Sequence, residues 1–180
     1  MSIVLVGYRG SGKTTIGRLL AERLLYSFVD TDEGVVQRAG RSIKDIFAED
    51  GEKVFRDLEC LAVADAVARA RHVVALGGGA LGRDENRVAI RTADAAVVYL
   101  ACEAGELYRR IHADPMTAQS RPSLTGLGGG IDEIKHLLHQ REPVYRQMAM
   151  LSVDVTMLSA QSVVDRILVD LRLPNLAKVP

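Results

Sequence analysis

Short apolar runs alternate with amphipathic stretches along nearly the whole chain. Ile3-Val4-Leu5-Val6, Ser27-Phe28-Val29, His72-Val73-Val74-Ala75-Leu76, Ala95-Ala96-Val97-Val98-Tyr99-Leu100 and Ser152-Val153-Asp154-Val155 are short and mostly β-branched, so each predicts a strand. Between them apolar residues recur at helical spacing. Ile16, Leu19, Leu20 and Leu24 predict a helix after the first strand. A mostly helical region from Asp32 to Ala70, punctuated by Gly40 and Gly51, carries the period Val54, Leu58, Leu61, Ala62, Asp65 and Ala66. Asp84 is expected to cap a helix reaching Thr92, and another runs to His112. A helix from Asp132 to Gln147 is expected to be interrupted near Pro143, and Val163, Val164, Ile167, Leu168 and Leu171 mark the closing one.

The alternation of strands and helices predicts an α/β fold: a parallel sheet with helices on both faces and ligands at the carboxyl ends of its strands. Neither a repeat nor a linker divides the chain, so one domain over residues 1–180 is expected. From Ala113 to Gly130 the periodicity dissolves among Pro115, Pro122 and several glycines, which predicts a long loop of the kind that serves as a lid.

Composition narrows the function classes. The chain is 48% hydrophobic but only 4% aromatic and lacks Trp, so its core is aliphatic. A formal net charge of zero argues against a nucleic-acid binder, whose affinity rests on excess Lys and Arg. No apolar run approaches the ~20 residues of a membrane span, and no membrane partner is expected. The first residues enter a strand without a signal-like segment, so a cytoplasmic, reducing location is expected. Cys60 and Cys102, the only cysteines, have no metal-ligand spacing; a disulfide is not expected, and Cys60 reads as a small core residue. His136 and His139 read as a solvated helix face rather than metal ligands.

The candidate chemistry gathers at strand ends. Gly7 to Thr15 fits G-x-x-x-x-G-K-[ST], with an apolar strand before it and a helix after it. In that setting Gly10, Ser11, Gly12, Lys13, Thr14 and Thr15 cradle nucleotide phosphates with backbone N–H groups, Lys13 neutralises the β and γ phosphates, and Thr14 offers a hydroxyl to Mg2+. Asp30 and Asp32 suit either metal and proton chemistry or a plain turn and helix cap. Arg56 reads as a ligand arginine or as the partner of Glu59 three residues on. Gly77-Gly78-Gly79, after a strand, allows close approach of a ligand to the backbone. Arg121, in the loop, and Arg141, on the following helix, suit phosphate or carboxylate recognition.

Together these residues resemble the shikimate kinases. That family has the phosphate loop, an Asp-[ST]-Asp (here Asp30-Thr31-Asp32) and a Phe-Arg-x-x-Glu helix (Phe55-Arg56-Asp57-Leu58-Glu59). It continues with a triple glycine (Gly77–Gly79), an Arg-Pro lid (Arg121-Pro122) and an Arg-x-x-x-Tyr helix (Arg141 to Tyr145), in the same order. The resemblance implies a three-layer P-loop kinase fold with a central five-stranded parallel sheet. It also implies a substrate-binding region over about 32–70 and a mobile lid over about 112–130. It implies ATP-dependent phosphorylation of the shikimate 3-hydroxyl, in the route to chorismate and the aromatic amino acids, by a Mg2+-dependent enzyme expected to be a monomer. By position, Lys13, Asp32 and Arg121 match catalytic residues, Asp32 as the group that binds the substrate hydroxyls and receives or orients the proton. Thr14 matches a metal ligand and Asp30 a water-mediated one. Arg56 and Arg141 match the pair that holds the substrate carboxylate, with Gly77, Gly78 and Gly79 lining the same site. Arg110 matches the arginine against the adenine, and Leu158 falls in the adenine loop near 157–161, where backbone contacts are expected. The lid departs from the family in reading Arg121-Pro122-Ser123-Leu124 rather than Arg-Pro-Leu-Leu, and in its glycine-rich extension to Gly130.

The nearest rival is another small-molecule kinase on the same scaffold, acting on gluconate or a nucleoside monophosphate; it would not need Arg56, Arg141 and the triple glycine together. A GTPase-like switch would carry an Asn-Lys-x-Asp motif, which this sequence lacks.

Overall fold

A computed structural model describes residues 1–113 and 130–174. Five strands, β1 (Ser2–Val6), β2 (Ser27–Asp30), β3 (His72–Ala75), β4 (Ala95–Ala101) and β5 (Leu151–Asp154), form one parallel sheet in the order β2-β3-β1-β4-β5. The helices are α1 (Lys13–Leu24), α2 (Thr31–Ala39), α3 (Ile43–Glu49), α4 (Gly51–Val67), α5 (Asp84–Thr92), α6 (Ala104–Ala113), α7 (Ile131–Met148) and α8 (Ala160–Asp170), with a 3-10 turn at Ala80–Gly82.

The three inner strands β1, β3 and β4 are almost wholly apolar because both faces of the sheet are covered there, whereas the edge strands β2 and β5 carry Ser and Asp. Ile3, Leu5, Val73, Val98, Leu100 and Val153 pack on one side with Leu20 and Leu24 of α1 and with Val164 and Ile167 of α8. Their neighbours Val4, Val6, Val74, Val97 and Tyr99 pack on the other with Val63 and Ala66 of α4, Ile90 of α5 and Tyr145 of α7. A smaller cluster of Val35, Ile43, Ile46, Phe55 and Ala62 joins α2, α3 and α4 beside the sheet. β2, β3 and β1 lie side by side and parallel, so their following loops emerge along one edge.

Four expectations are corrected. The buried face of α4 is Phe55, Glu59, Ala62, Val63, Ala66 and Val67, whereas Val54 and Leu61 are exposed, 39% and 55% respectively. That face turns one position from the expected one because α4 must cover both the sheet and α2–α3. Asp84 is the first residue of α5 and not its cap; Arg83 holds the cap position, and Asp84 pairs with Arg87 one turn on. Pro143 does not interrupt α7, which is continuous from Ile131 to Met148. The proline lies on the exposed side of the helix, while Ile134, Leu137, Tyr145 and Met148 hold the buried side. Cys60 is half-buried at the margin rather than in the core; Cys102 is buried, and both are free thiols.

Among the described residues no helix is long and apolar enough to cross a membrane. Residues 114–129, with Arg121 and nearly all of the expected lid, lie outside the described residues.

Candidate active site

The loop between β1 and α1 turns sharply at Gly10 and Gly12, whose φ values of 84° and 91° are left-handed and suit glycine. Ser11, between them, is fully buried, and Lys13 opens α1 with Thr14 and Thr15 exposed on its first turn. The Lys13 ammonium turns back over the loop and donates to the carbonyls of Gly7 and Tyr8, each at 2.9 Å. The helix N-terminus, the loop amides and this cation together form an anion cradle.

The acid pair stands at the end of β2, two strands from β1 across β3. Asp30 caps α2, its Oδ1 accepting from the Asp32 amide at 3.0 Å, while its Oδ2 accepts from the Thr14 hydroxyl at 2.9 Å. The cap reading of Asp30 and its approach to Thr14 are therefore both true of one carboxylate. Burial holds the Asp30 carboxyl above the usual carboxylate range, and the Asp32 carboxylate pushes the same way; the Thr14 hydroxyl, the Asp32 amide and Lys13 oppose them. A half-desolvated carboxylate beside a hydroxyl, both hard oxygen donors at the mouth of a phosphate cradle, fits a magnesium ion. Thr31, fully buried between the two acids, donates to the Ala75 carbonyl at 3.3 Å and accepts from the Gly77 amide at 3.0 Å. Those bonds join the second strand end to the triple glycine.

Gly78 packs against the phosphate loop: a Cβ there would lie 3.4 Å from the Arg9 nitrogen and 3.5 Å from the Gly7 carbonyl. The Gly78 carbonyl accepts from Arg141 at 3.3 Å and from the Tyr145 hydroxyl, both on α7. The Arg141 guanidinium also sits 5.8 Å from the centre of the Tyr8 ring. Across the glycines, Arg56 is anchored to buried Glu59 at 2.7 Å and to Glu52 at 3.1 Å. Desolvation would lower the Arg56 pKa, but these two carboxylates more than offset it, and the guanidinium is held above its usual value. Arg56, Gly79 and Arg141 line one cleft of about 470 Å3, together with Arg83, Lys53 and Glu52. Its cationic wall suits a small organic anion. A separate hollow of about 340 Å3 between α2, α4 and β2 touches Asp30 but none of the other candidate residues.

Arg110, near the end of α6, is held by Glu106 at 2.7 Å and donates to the carbonyls of Val155 and Thr156 at 2.8 and 3.2 Å. It thereby lies against the segment leading to Leu158, which is 43% exposed after β5. Among the described residues no cluster of three or more His, Cys, Asp or Glu side chains could hold a metal, and His136 and His139 are exposed on α7.

Sequence reading missed Tyr8, Thr31, Lys53 and Arg83 as parts of this region. Tyr8 occupies a free position of the loop pattern, and Thr31 had only its place between two acids to mark it. Nothing in the local pattern separates Lys53 and Arg83 from other surface cations.

A glycine-rich loop between the central strand and its helix, with a carboxylate at the next strand end meeting the first helical turn, defines a P-loop phosphotransferase fold. The comparisons narrow the class. A sequence model of the family described as shikimate kinase matches residues 9–172. A shikimate kinase from Oleidesulfovibrio alaskensis is 47% identical over 84% of this chain and 87% of its own. One from Symbiobacterium thermophilum is 44% identical over 93% and 94%. The solved shikimate kinase from Acinetobacter baumannii, in complex with shikimate, superposes with a TM-score of 0.88 at 32% identity, covering 95% of this chain and 92% of that one. The chain belongs to the shikimate kinase family.

Proposed function

We propose that this protein transfers the γ-phosphoryl group of ATP to the 3-hydroxyl of shikimate, giving shikimate 3-phosphate on the route to chorismate and the aromatic amino acids. One observation carries the reading: Arg56 and Arg141 line the same cleft against Gly79, directly beside the Lys13 loop. Shikimate has one carboxylate and several hydroxyls; the two arginines complement the first and Asp32 is assigned to the second.

The phosphate loop from Gly10 to Thr15 binds the triphosphate, and Lys13 leaves the Gly7 and Tyr8 carbonyls to neutralise the β and γ phosphates. Thr14 and Asp30 would hold Mg2+, which supplies charge neutralisation on the phosphate oxygens. Arg56 and Arg141 grip the acceptor carboxylate, with the Gly77–Gly79 backbone as the floor. Asp32 orients the acceptor hydroxyl and takes its proton. Phosphoryl transfer demands positioning and charge compensation more than covalent chemistry, and these residues supply both. Arg110 and Leu158 flank the adenine. Arg121, outside the described residues, is assigned to the phosphates. The reading extends to a cytoplasmic enzyme acting as a monomer.

A coupled assay with ATP, Mg2+ and shikimate tests the proposal against a panel of gluconate and nucleoside monophosphates. Shikimate-dependent ADP release that disappears in Lys13→Ala is expected. Turnover of a panel compound with shikimate inert would reject the acceptor, and undiminished turnover in Lys13→Ala would reject the phosphate site.

A further inference from the structure

We infer that Thr31 is a positioning residue: its buried hydroxyl ties the Asp30–Asp32 segment to Gly77 and thereby sets the acid pair against the glycine floor of the acceptor site. The inference rests on the roles proposed above for those two segments and adds the residue that holds them in register.

β2 and β3 pair in parallel as far as Asp30 opposite Ala75. At Thr31 the chain turns into α2, so its backbone leaves the ladder, whereas the Gly77 amide still requires an acceptor. The Thr31 hydroxyl provides it at 3.0 Å and gives its own proton to the Ala75 carbonyl at 3.3 Å. A side chain thus extends the sheet's hydrogen bonding beyond the last paired residue. Thr31 is 0% exposed and cannot touch a ligand itself. Its effect passes through its neighbours: Asp30, which meets Thr14; Asp32; and Gly77, which begins the segment whose Gly78 meets Arg141 and whose Gly79 meets Arg56. Of the three consecutive residues Asp30-Thr31-Asp32, the middle one faces inward, and its hydroxyl has the donor and acceptor that this junction needs.

The test compares Thr31→Val, which keeps the shape and removes the hydroxyl, with Thr31→Ser, which keeps the hydroxyl. Each is assayed well below its own melting temperature. Thr31→Val should lose on the order of tenfold to a hundredfold in kcat, the range expected when reacting groups shift by a fraction of an ångström to an ångström. KM for ATP should stay near that of the unaltered protein, and Thr31→Ser should restore most of kcat. Val164→Ala, a core truncation on α8, serves as the control for a purely thermal loss and should retain kcat. Unchanged kcat in Thr31→Val, or an equal kcat loss in Val164→Ala, would overturn the inference. A second measurement does not depend on that variant folding: hydrogen exchange at the Gly77 amide of the unaltered protein should be slow, and rapid exchange there would also overturn it. Absence of shikimate turnover in the unaltered protein would instead reject the proposed function, and Gly77 protection alone would then decide whether the clasp exists.

Discussion

The guanidinium of Arg56 lies against Gly79 so closely that a Cβ on that glycine would come within 2.8 Å of both terminal nitrogens. Arg56 has little freedom to withdraw, because Glu59 holds one nitrogen at 2.7 Å from a fully buried position and Glu52 holds the other side at 3.1 Å. Gly79→Ala should therefore push Arg56 out of the cleft at the expense of its Glu59 bond. KM for shikimate is expected to rise about tenfold, equivalent to ~1.4 kcal/mol, with KM for ATP little changed. Initial-rate kinetics on both substrates check this, and equal shifts in the two KM values would contradict the assignment.

Arg141 lines the same cleft, and its contacts to the Gly78 carbonyl and the Tyr8 ring are ones a smaller side chain loses. Truncation in Arg141→Ala removes one partner of a charge-assisted bond to the acceptor carboxylate, a loss of about 2–3 kcal/mol. KM for shikimate should rise about 30- to 150-fold, far more than KM for ATP. Arg141→Lys should recover only part of this, since an ammonium cannot make the two-pronged contact of a guanidinium.

What the sequence revealed depended on how local each signal was. The strands were plain because a sheet covered on both faces leaves continuous apolar runs such as Ile3 to Val6 and Ala96 to Leu100. The phosphate loop was plain because its glycines and Lys13 act within one turn of chain. The buried face of α4 was misread because its central residue, Glu59, is charged; its burial becomes intelligible through Arg56 and the glycine floor that Arg56 touches. Arg56 had two readings, ligand residue or partner of Glu59, and the fold satisfies the pairing while placing the same side chain at the cleft. The Thr31–Gly77 bond joins residues 46 apart, which no periodicity can announce. Pro143 looked like a helix break because local rules cannot see that its side of α7 faces water.

Asp30 should show a trade-off between stability and function. Its carboxylate is half-buried, faces Asp32, and is held above its ordinary value of 3.8. A group raised in this way favours the fold fully below that ordinary value, and the contribution is lost as pH rises through the higher folded value. At neutral pH the ionised Asp30 is consequently a cost to the ligand-free protein. Asp30→Asn keeps an oxygen for the Asp32 amide and remains a good helix cap, so Tm of the ligand-free variant at pH 7 should rise by a few degrees. The advantage should shrink on acidification below the carboxylate range, and Mg2+-dependent turnover should fall sharply. Thermal melts at pH 7 and pH 3 with parallel assays across Mg2+ concentrations decide it; a lower Tm at pH 7 would refute the burial account.

Glu106 offers the opposite sign. Hydrogen bonds from Arg109 and Arg110 hold its carboxyl down at about 2, against an ordinary 4.5. A lowered carboxylate stabilises the fold above its unfolded value, and that contribution is lost as pH falls through the folded one. The Tm difference between the unaltered protein and Glu106→Gln should therefore stay level from pH 7 to about pH 5 and close between 4.5 and about 2. The same substitution loosens Arg110, which among the described residues keeps its bonds to the Val155 and Thr156 carbonyls beside the segment leading to Leu158. KM for ATP should accordingly rise about two- to fivefold, the range of a lost surface ion pair, with KM for shikimate unchanged. A shift confined to shikimate would place Arg110 on the wrong side of the site.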